Sequence, residues 1–370
     1  MSACVQLEAA LAARCGRSHA VLTGRGAGAI AIALQVFQQV APDRCAVILP
    51  ATLCLSPPAV TRLAGLEPVF CDCEPQTGGM DPAALEALLE VRGDVLCVLA
   101  AHMFGEACRI EEIAALCRRV GVPLIEDAAQ AWGADINGTP AGGFGDVSVI
   151  SFGHTKILDA GGGGAALCDD PVLAEGLRDA ATALPVKSAN LAAYAKAYSE
   201  RYYALAPVFD RDPDARLQVG ALTLEHPERY AYRLDETGAR AVLERLEETE
   251  AELAHRRALA EIYDAALDCG VRRIVRGRGG APWRFGVLVQ PERRDEVVAG
   301  LRAAGFHAST WYPCAASFFE PVQAGAFPGA EALQARIVNL WVDREVSAES
   351  ARGAADLINE ALAQSAFDVV

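Results

Sequence analysis

Short apolar segments alternate with segments of helical periodicity along the first two-thirds of the chain, and this alternation most constrains the fold. The segments expected to be strands cover residues 19–22, 46–49, 68–71, 95–100, 123–125, 146–152 and 164–168. The segments expected to be helices cover residues 5–15, 29–39, 81–91 and 110–120. This pattern predicts an α/β fold with a mostly parallel central sheet covered by helices. Ligands of such sheets bind beyond the carboxyl ends of the strands.

The length of 370 residues is sufficient for two domains. We expect a large domain at residues 1–235, with a helical excursion at about 186–232, and a smaller α/β domain at 236–370. The tyrosines of the excursion favour a packed helix over an aromatic ligand cage, since they recur at helical spacing: Tyr194, Tyr198, Tyr202 and Tyr203. The second domain is expected to begin with a long charged helix at 236–264. Its strands are predicted at 273–275, 285–289 and 337–341, and its further helices at 293–304 and 348–363.

A carboxylate and a lysine follow predicted strands of the large domain. Asp127 comes after an apolar segment, and Lys156 closes the sequence Ser-Phe-Gly-His-Thr-Lys that begins at Ser151. Pyridoxal 5′-phosphate (PLP) requires an amine for its aldehyde and an anion for its pyridine nitrogen. Its phosphate requires short polar groups and backbone N–H donors, which Ser151 and the glycines at 161–164 offer. We therefore predict that Lys156 is the covalent attachment point and that Asp127 pairs with the ring nitrogen.

A glycine-rich turn at 24–28 follows the first predicted strand and opens a helix. Backbone N–H groups at a helix N-terminus bind anions, although many α/β turns are rich in glycine for steric reasons alone. A dinucleotide site is the poorer interpretation, because the third glycine and the acidic residue after the next strand are missing. Together with Ser151 and Lys156, the turn makes Arg25 and Gly26 candidate contacts of the PLP phosphate.

Three further side chains lie close to these motifs in the sequence. Gln130 stands three residues after Asp127 and could reach the phenolic oxygen of PLP. His102 and His154 are candidate substrate contacts, and each could instead be an ordinary hydrogen-bonded histidine. The spacing of histidines, cysteines and carboxylates gives no metal site, so we expect none.

The composition excludes several classes of partner. A formal net charge of −15 without a basic cluster argues against nucleic acid and against an anionic membrane surface. The twelve cysteines are scattered, which indicates small core residues kept reduced. We see neither a signal peptide nor an apolar run of about 20 residues that could span a membrane. We therefore expect a soluble cytoplasmic protein.

These motifs resemble those of the DegT/DnrJ/EryC1/StrS family, the PLP-dependent sugar aminotransferases of fold type I. Residues 126–131 are identical to the family's E-D-A-A-Q-A, and residues 151–156 resemble its S-F-x-x-x-K. Weaker similarities, to S-G-T-A-A, V-I-V-P-A, G-A-T-P-V-F-V-D, V-H-L-Y-G, N-Y-R-M and H-Y-P, lie at 23–27, 47–51, 65–72, 101–105, 232–234 and 311–313. The resemblance extends over nearly the whole chain.

The resemblance implies a role for each matched residue. Lys156 would form the Schiff base and move protons, Asp127 would bind the ring nitrogen, Gln130 the phenolic oxygen and Ser151 the phosphate. Tyr312 and Arg233 stand in matched motifs, and both are candidate substrate contacts. Members are homodimers whose active sites take groups from both subunits. Family dehydratases carry histidine in place of the lysine, so the lysine implies transamination.

Three positions depart from the family pattern. Arg25 replaces a threonine of the phosphate turn, and Ala231 replaces an asparagine that reaches the phosphate in the neighbouring subunit. We hypothesise that the charge-assisted hydrogen bond of Arg25 compensates for that loss. The segment at 51–54 lacks the aromatic residue that stacks on the ring and offers Cys54 instead. The tyrosine-rich segment of the excursion at 194–203 is a candidate cover for that face of the ring.

The residues and the resemblance together predict a PLP-dependent aminotransferase. It would move an amino group from glutamate or glutamine to a keto-sugar, carried on a nucleotide in most of the family. Two alternatives remain: a PLP enzyme that acts on a non-sugar carbonyl or a cyclitol, and a PLP-binding regulator without turnover. The missing stacking aromatic favours the first alternative, and the presence of Lys156, Asp127 and Gln130 argues against the second.

Overall fold

The computed structural model describes residues 1–209 and 212–364; residues 210–211 of the excursion and 365–370 of the predicted second domain lie outside the described residues. Its strands are β1 His19–Thr23, β2 Ala46–Pro50, β3 Glu67–Cys71, β4 Val95–Ala101, β5 Leu124–Asp127, β6 Asp135–Ile136, β7 Thr139–Pro140, β8 Val147–Ser151, β9 Gly164–Cys168, β10 Arg272–Arg273, β11 Phe285–Leu288, β12 Ala308–Ser309 and β13 Ile337–Leu340.

The α-helices are α1 Ala3–Arg14, α2 Gly26–Val40, α3 Ser56–Leu63, α4 Pro82–Val91, α5 Ile110–Val120, α6 Pro171–Ala183, α7 Leu191–Leu205, α8 Pro213–Leu224, α9 Glu236–Glu247, α10 Thr249–Ala266, α11 Pro291–Ala303, α12 Pro328–Arg336 and α13 Ala348–Gln364. Short 3₁₀ helices cover Ala206–Val208, Pro227–Arg229 and Ala315–Phe318.

The main sheet has seven strands in the order β1-β9-β8-β5-β4-β2-β3. The pairs formed among β2, β3, β4, β5 and β8 are parallel, and β9 is antiparallel to both of its neighbours. The predicted α/β fold with a mostly parallel sheet is therefore confirmed. Because parallel strands end at the same edge, the loops after β4, β5 and β8 come together there.

Helices cover both faces of this sheet, and the residues of β2 show why its strands are apolar throughout. Val47 and Leu49 lie in a core that includes Ile32 of α2. Ile48 points to the other face, into a core that includes Ile113 of α5. Successive side chains of a strand alternate between faces, so a strand buried on both sides has no polar position.

The C-terminal part of the chain forms a four-stranded antiparallel sheet in the order β10-β11-β13-β12. Its own core includes residues of α10, α11 and α13, such as Leu259, Val297 and Ile358. The smaller C-terminal α/β unit thus agrees with the predicted fold class. α9 instead buries Ala239 and Val242 in the core of the main sheet. The domain boundary at 235/236 stays a prediction.

Two details of the C-terminal part differ from the sequence prediction. The expected single helix at 236–264 is two helices that meet at Glu248. The Thr249 hydroxyl donates to the Leu246 carbonyl at 2.8 Å, a local bond that competes with helix continuation. The strand expected at 273–275 is only Arg272–Arg273, because the Val275 N–H leaves the sheet and donates to the Gln76 carbonyl.

The excursion is helical, as expected. Tyr198 and Tyr202 of α7 pack against the core of the main sheet, whereas Tyr203 is 71% exposed. Among the described residues, no helix combines the length and the apolar composition needed to cross a bilayer.

The loop after β4 meets the segment before β11 at a close junction. Gly105 has φ +90°, and a Cβ there would lie 1.9 Å from the Ala281 carbonyl oxygen. Glu106 is buried beside it and accepts a hydrogen bond from the Gly277 N–H at 2.8 Å. Burial raises the pKa of Glu106 to about 7, although this N–H and nearby arginines lower it. The junction therefore contains a carboxyl group that titrates near neutrality.

We predict that Glu106→Gln becomes stabilising relative to wild type as the pH rises. A carboxyl whose folded pKa is raised from 4.5 to about 7 contributes stability that is complete below pH 4.5 and lost through pH 7. The free energy of unfolding of the variant, relative to wild type, should increase by about 2 kcal/mol between pH 5 and pH 8. Urea unfolding at each pH measures it.

The exposed Glu175 of α6 offers the matched control, since Glu175→Gln makes the same change in net charge. A stability difference for Glu106→Gln that is constant over this pH range would contradict the prediction.

Candidate active site

A cavity of about 250 Å³ opens at the carboxyl edge of the main sheet. The ends of β4, β5 and β8, the start of α2 and the loop after β8 form its walls. The cavity is lined by all but one of the candidate site residues: Arg25, Gly26, Cys54, His102, Asp127, Gln130, Ser151, His154, Lys156 and Tyr312. Arg233 is the exception; its side chain is exposed and lies outside the lining.

Asp127 is the last residue of β5, and its side chain is buried in the cavity wall. Its Oδ1 accepts the Ala129 N–H at 2.9 Å, while its Oδ2 has no hydrogen-bond partner among the described residues. Burial raises the pKa of Asp127, and the positive charge of Lys156 opposes that rise. A cation bound at the free oxygen would favour the ionised form further, which is the environment a protonated ring nitrogen needs.

The glycine turn and Ser151 approach each other at the start of α2. A Cβ at Gly26 would lie 2.9 Å from the Ser151 Cβ, so a larger residue would close this gap. The Gly28 N–H at the start of α2 donates to the Arg25 carbonyl at 3.0 Å. The N–H groups that begin a helix favour anions, so the start of α2 is a candidate anion site next to the Ser151 hydroxyl. Arg25 precedes the helix with an exposed side chain, and it forms no ion pair with any described residue.

Gln130 and Tyr312 form a buried pair that joins the two parts of the chain. The Gln130 Nε2 donates to the Tyr312 hydroxyl at 2.9 Å, and its Oε1 accepts the Phe104 N–H at 3.0 Å. Burial raises the pKa of the Tyr312 hydroxyl well above its ordinary value, so this group stays protonated. Gln130 keeps one amide hydrogen for a ligand.

His102 is held by the protein at both ring nitrogens. Its Nδ1 accepts the Cys108 N–H at 3.2 Å, which leaves the ring proton on Nε2, 2.9 Å from Glu126 Oε1. Both nitrogens are therefore engaged by the protein, although His102 belongs to the cavity lining. His154 is exposed at the rim, with Nδ1 3.4 Å from an Asp159 oxygen.

Glu126 lies next to Asp127 in β5 and points to the opposite face of the sheet. Its carboxylate accepts five hydrogen bonds, from the His102 ring, the Ser148 hydroxyl and the N–H groups of Gly142, Phe144 and Gly145. Burial alone would raise the pKa of Glu126, but the bonds from His102 and the backbone lower it to about 2. The E-D-A-A-Q-A motif at 126–131 thus contains two different carboxylates: Glu126 is bound by the protein, whereas Asp127 has one oxygen without a partner among the described residues.

The face of the cavity that lacks the family's aromatic residue contains Cys54. Burial raises the pKa of the Cys54 thiol, so the thiol is uncharged at neutral pH. The tyrosine that the excursion contributes to the lining is Tyr230, which follows its last 3₁₀ helix. The α7 tyrosines are not among the lining residues; Tyr198 lies beneath the Arg229 guanidinium, 4.3 Å away.

Sequence reasoning missed Trp283, a buried residue at the junction of the two sheets. Its indole N–H donates to the carbonyl of Thr155, the residue before Lys156. The two residues are 128 positions apart, and the segment around Trp283 contains no motif that marks the contact.

The residues present fit PLP, because the cavity provides a close glycine turn for a phosphate and an unpaired carboxylate oxygen for a ring nitrogen. An amine, a buried carboxylate and an anion site at this edge of an α/β sheet define a PLP-dependent transferase of fold type I.

A sequence profile of the DegT/DnrJ/EryC1/StrS aminotransferase family matches residues 2–358. The chain therefore belongs to this family and is a PLP-dependent aminotransferase.

Two curated proteins and one solved structure illustrate the similarity. A pleiotropic regulatory protein of Geobacillus stearothermophilus is 30% identical over 83% of this chain and 74% of its own length. A UDP-2-acetamido-2-deoxy-3-oxo-D-glucuronate aminotransferase of Pseudomonas aeruginosa is 27% identical over 83% and 76%. The crystal structure of S. venezuelae DesV, in complex with a ketimine intermediate, is 25% identical, has a TM-score of 0.76, and aligns over 97% of this chain and 89% of DesV.

We predict that Glu126→Gln destabilises the protein by about 3 kcal/mol or more at pH 7, because an amide group would face backbone N–H donors. The contribution of Glu126 is complete above its unfolded pKa of 4.5 and is lost as the pH falls through about 2. The stability difference between wild type and variant should therefore narrow below pH 4.5. Urea unfolding at pH 7, 4 and 3 tests this.

The control is Glu244→Gln, on the exposed surface of α9. If Glu126→Gln lowers the free energy of unfolding no more than Glu244→Gln does, the Glu126 carboxylate does not hold the loops together.

Proposed function

We propose that this aminotransferase moves an amino group from glutamate or glutamine to the ketone of a nucleotide-linked sugar. The observation that carries the proposal is the placement of Lys156 and of the unpaired Asp127 oxygen in one cavity, beside the anion site at Gly26 and Ser151. The similarity to a UDP-oxo-sugar aminotransferase supports the acceptor class.

Each residue of the cavity has a distinct task in this proposal. Bound PLP supplies an electron sink for the electron pair released at the donor's α-carbon. The Lys156 amine removes the proton from the donor's α-carbon and delivers it to the carbon of the cofactor that was the aldehyde carbon. The Asp127 carboxylate holds a proton on the ring nitrogen, and Gln130 donates to the phenolic oxygen. Ser151, Gly26 and Arg25 bind the phosphate.

We propose that the enzyme works as a cytoplasmic homodimer with shared active sites. Ala231 offers no polar group to a neighbouring phosphate, so Arg25 takes over that contact. The resemblance to family members with shared active sites is what supports this proposal. Every cysteine is unpaired, as expected in a reducing compartment.

A cyclitol ketone is the second candidate acceptor. The segment at 51–54 contributes no aromatic side chain, and Cys54, which is smaller than an aromatic residue, lines the cavity there. Initial rates with a panel of keto-sugar nucleotides and cyclitol ketones distinguish the two acceptors. The Geobacillus relative is named as a regulatory protein, so a regulator without turnover is also tested. Conversion of glutamate in a single turnover would argue against such a regulator.

We predict that Lys156→Ala abolishes covalent attachment of PLP and lowers the rate of the half-reaction with glutamate by about 10³-fold or more, since both nucleophile and base are lost. Attachment is measured by borohydride reduction and intact mass, and the half-reaction by stopped-flow absorbance. Lys196→Ala, on the exposed surface of α7, is the matched control. Attachment that persists in Lys156→Ala at the wild-type level would refute the proposal.

We predict that Arg25→Ala weakens PLP binding by about 10-fold or more, because a charge-assisted hydrogen bond to phosphate is worth about 1.5–3 kcal/mol. The dissociation constant is measured by fluorescence titration of the apo-protein, with pyridoxal as a ligand that lacks the phosphate.

Arg178→Gln, on the exposed side of α6, controls for net charge. If Arg25→Ala binds PLP with normal affinity but has a raised KM for the acceptor, Arg25 contacts the substrate and not the phosphate of PLP.

A further inference from the structure

Three non-glycine residues of the described chain have a left-handed backbone: Phe104 at φ 60°, Asn137 at φ 54° and Thr155 at φ 68°. Asn137 lies in the β6–β7 turn, where asparagine adopts this conformation readily. The other two belong to the active site, since Thr155 precedes Lys156 and Phe104 donates its N–H to Gln130. A threonine with positive φ is unusual because its β-branched side chain crowds the backbone.

One residue binds the carbonyl groups of both of these active-site residues. The backbone N–H of Trp283 donates to the Phe104 carbonyl at 2.9 Å. The indole N–H of the same residue donates to the Thr155 carbonyl. Two unfavourable conformations, 51 positions apart in the sequence, are thus held by a single tryptophan from the C-terminal part of the chain.

Trp283 is itself held firmly. The Arg284 guanidinium lies 4.5 Å from its ring and also donates to the Trp283 carbonyl at 2.9 Å. Arg256 donates to the same carbonyl at 3.2 Å. The Tyr312 ring lies 6.0 Å from the Trp283 ring. The indole N–H is therefore a fixed donor.

Thr155 has few other constraints. Its N–H donates to an Asp159 oxygen at 3.0 Å, but this partner lies in the same loop and its side chain is partly exposed. The side chain of Thr155 is exposed. The bond from the indole is the contact that ties this residue to another part of the structure.

We propose that Trp283 is a positioning residue that holds Thr155 in the left-handed conformation and so sets the place of the Lys156 amine. The inference rests on the proposed role of Lys156. Through the hydrogen bond from the Trp283 indole to the Thr155 carbonyl, the C-terminal part of the chain would control the position of the Lys156 amine without a contact between Trp283 and PLP.

A double-mutant cycle of Trp283→Phe and Thr155→Gly tests this inference. Phenylalanine keeps an aromatic ring beside Tyr312 and Arg284 but removes the donor. We expect Trp283→Phe to slow covalent attachment of PLP to the apo-protein by about 10-fold in the wild-type background. In the Thr155→Gly background the same substitution should change the rate by less than about 2-fold, because glycine adopts positive φ without support.

Two readouts accompany the cycle. The attachment rate is measured by mixing apo-protein with PLP, quenching with borohydride at successive times, and quantifying the adduct on Lys156 by mass spectrometry. Amide hydrogen exchange of residues 153–156 in the apo-protein should be faster in Trp283→Phe than in wild type. In the double variant, the Phe substitution should add no further acceleration beyond that of Thr155→Gly.

Two matched controls are available. Trp132 is a buried tryptophan whose indole N–H has no hydrogen-bond partner among the described residues, so Trp132→Phe should leave the attachment rate unchanged. Asn137→Gly relaxes a left-handed residue away from the cavity and should not rescue Trp283→Phe.

The outcomes separate the two proposals. If the wild-type apo-protein forms no adduct on Lys156, the proposed function fails. If the adduct forms and Trp283→Phe slows it equally in both backgrounds, the positioning role of Trp283 is overturned. Should Trp283→Phe unfold, Trp283→Met is the second variant, since methionine also lacks the donor. Attachment by Trp283→Met that is no faster with Thr155→Gly added would equally overturn the inference.

Discussion

The end of β5 fixes the geometry of the site, because its last two residues are carboxylates that face opposite sides of the sheet. Glu126 accepts hydrogen bonds from the end of β4, from β8 and from the loop at 142–145. This single buried anion ties three segments to one point through five hydrogen bonds. Asp127 consequently stands on a rigid edge, with one oxygen available to a ligand.

The cavity is complete only where the two sheets meet. Gln130 binds Tyr312, Thr155 binds Trp283, and Gly105 allows the backbone at Ala281 to approach. Each contact joins a loop after a strand of the main sheet to the C-terminal part of the chain. The loops of an α/β sheet place chemical groups, and here a second unit restricts how those loops move.

Local motifs predicted Asp127 and Lys156 as site residues, because a strand end and a turn are read from neighbouring residues. The structure places both in the lining of one cavity, and their roles stay predictions. The break at Glu248 was not predicted, because the charged helical pattern continues through it; the Thr249 hydroxyl bonds the Leu246 carbonyl there. His102 was a candidate substrate contact, yet the structure engages both of its nitrogens. Long-range contacts such as that of Trp283 have no sequence period, so pattern reasoning could not find them.

The distribution of charge across the cavity connects these observations. The lining combines positive groups, Arg25 and the N-terminus of α2, with the carboxyl group of Asp127. The chain as a whole carries a formal charge of −15, so these positive groups are a local feature. PLP has a dianionic phosphate at one end and a ring nitrogen that can be protonated at the other. A ligand without a donor for the second Asp127 oxygen would leave that buried oxygen without a hydrogen bond, so the lining favours a ligand that carries both an anionic group and a protonated nitrogen.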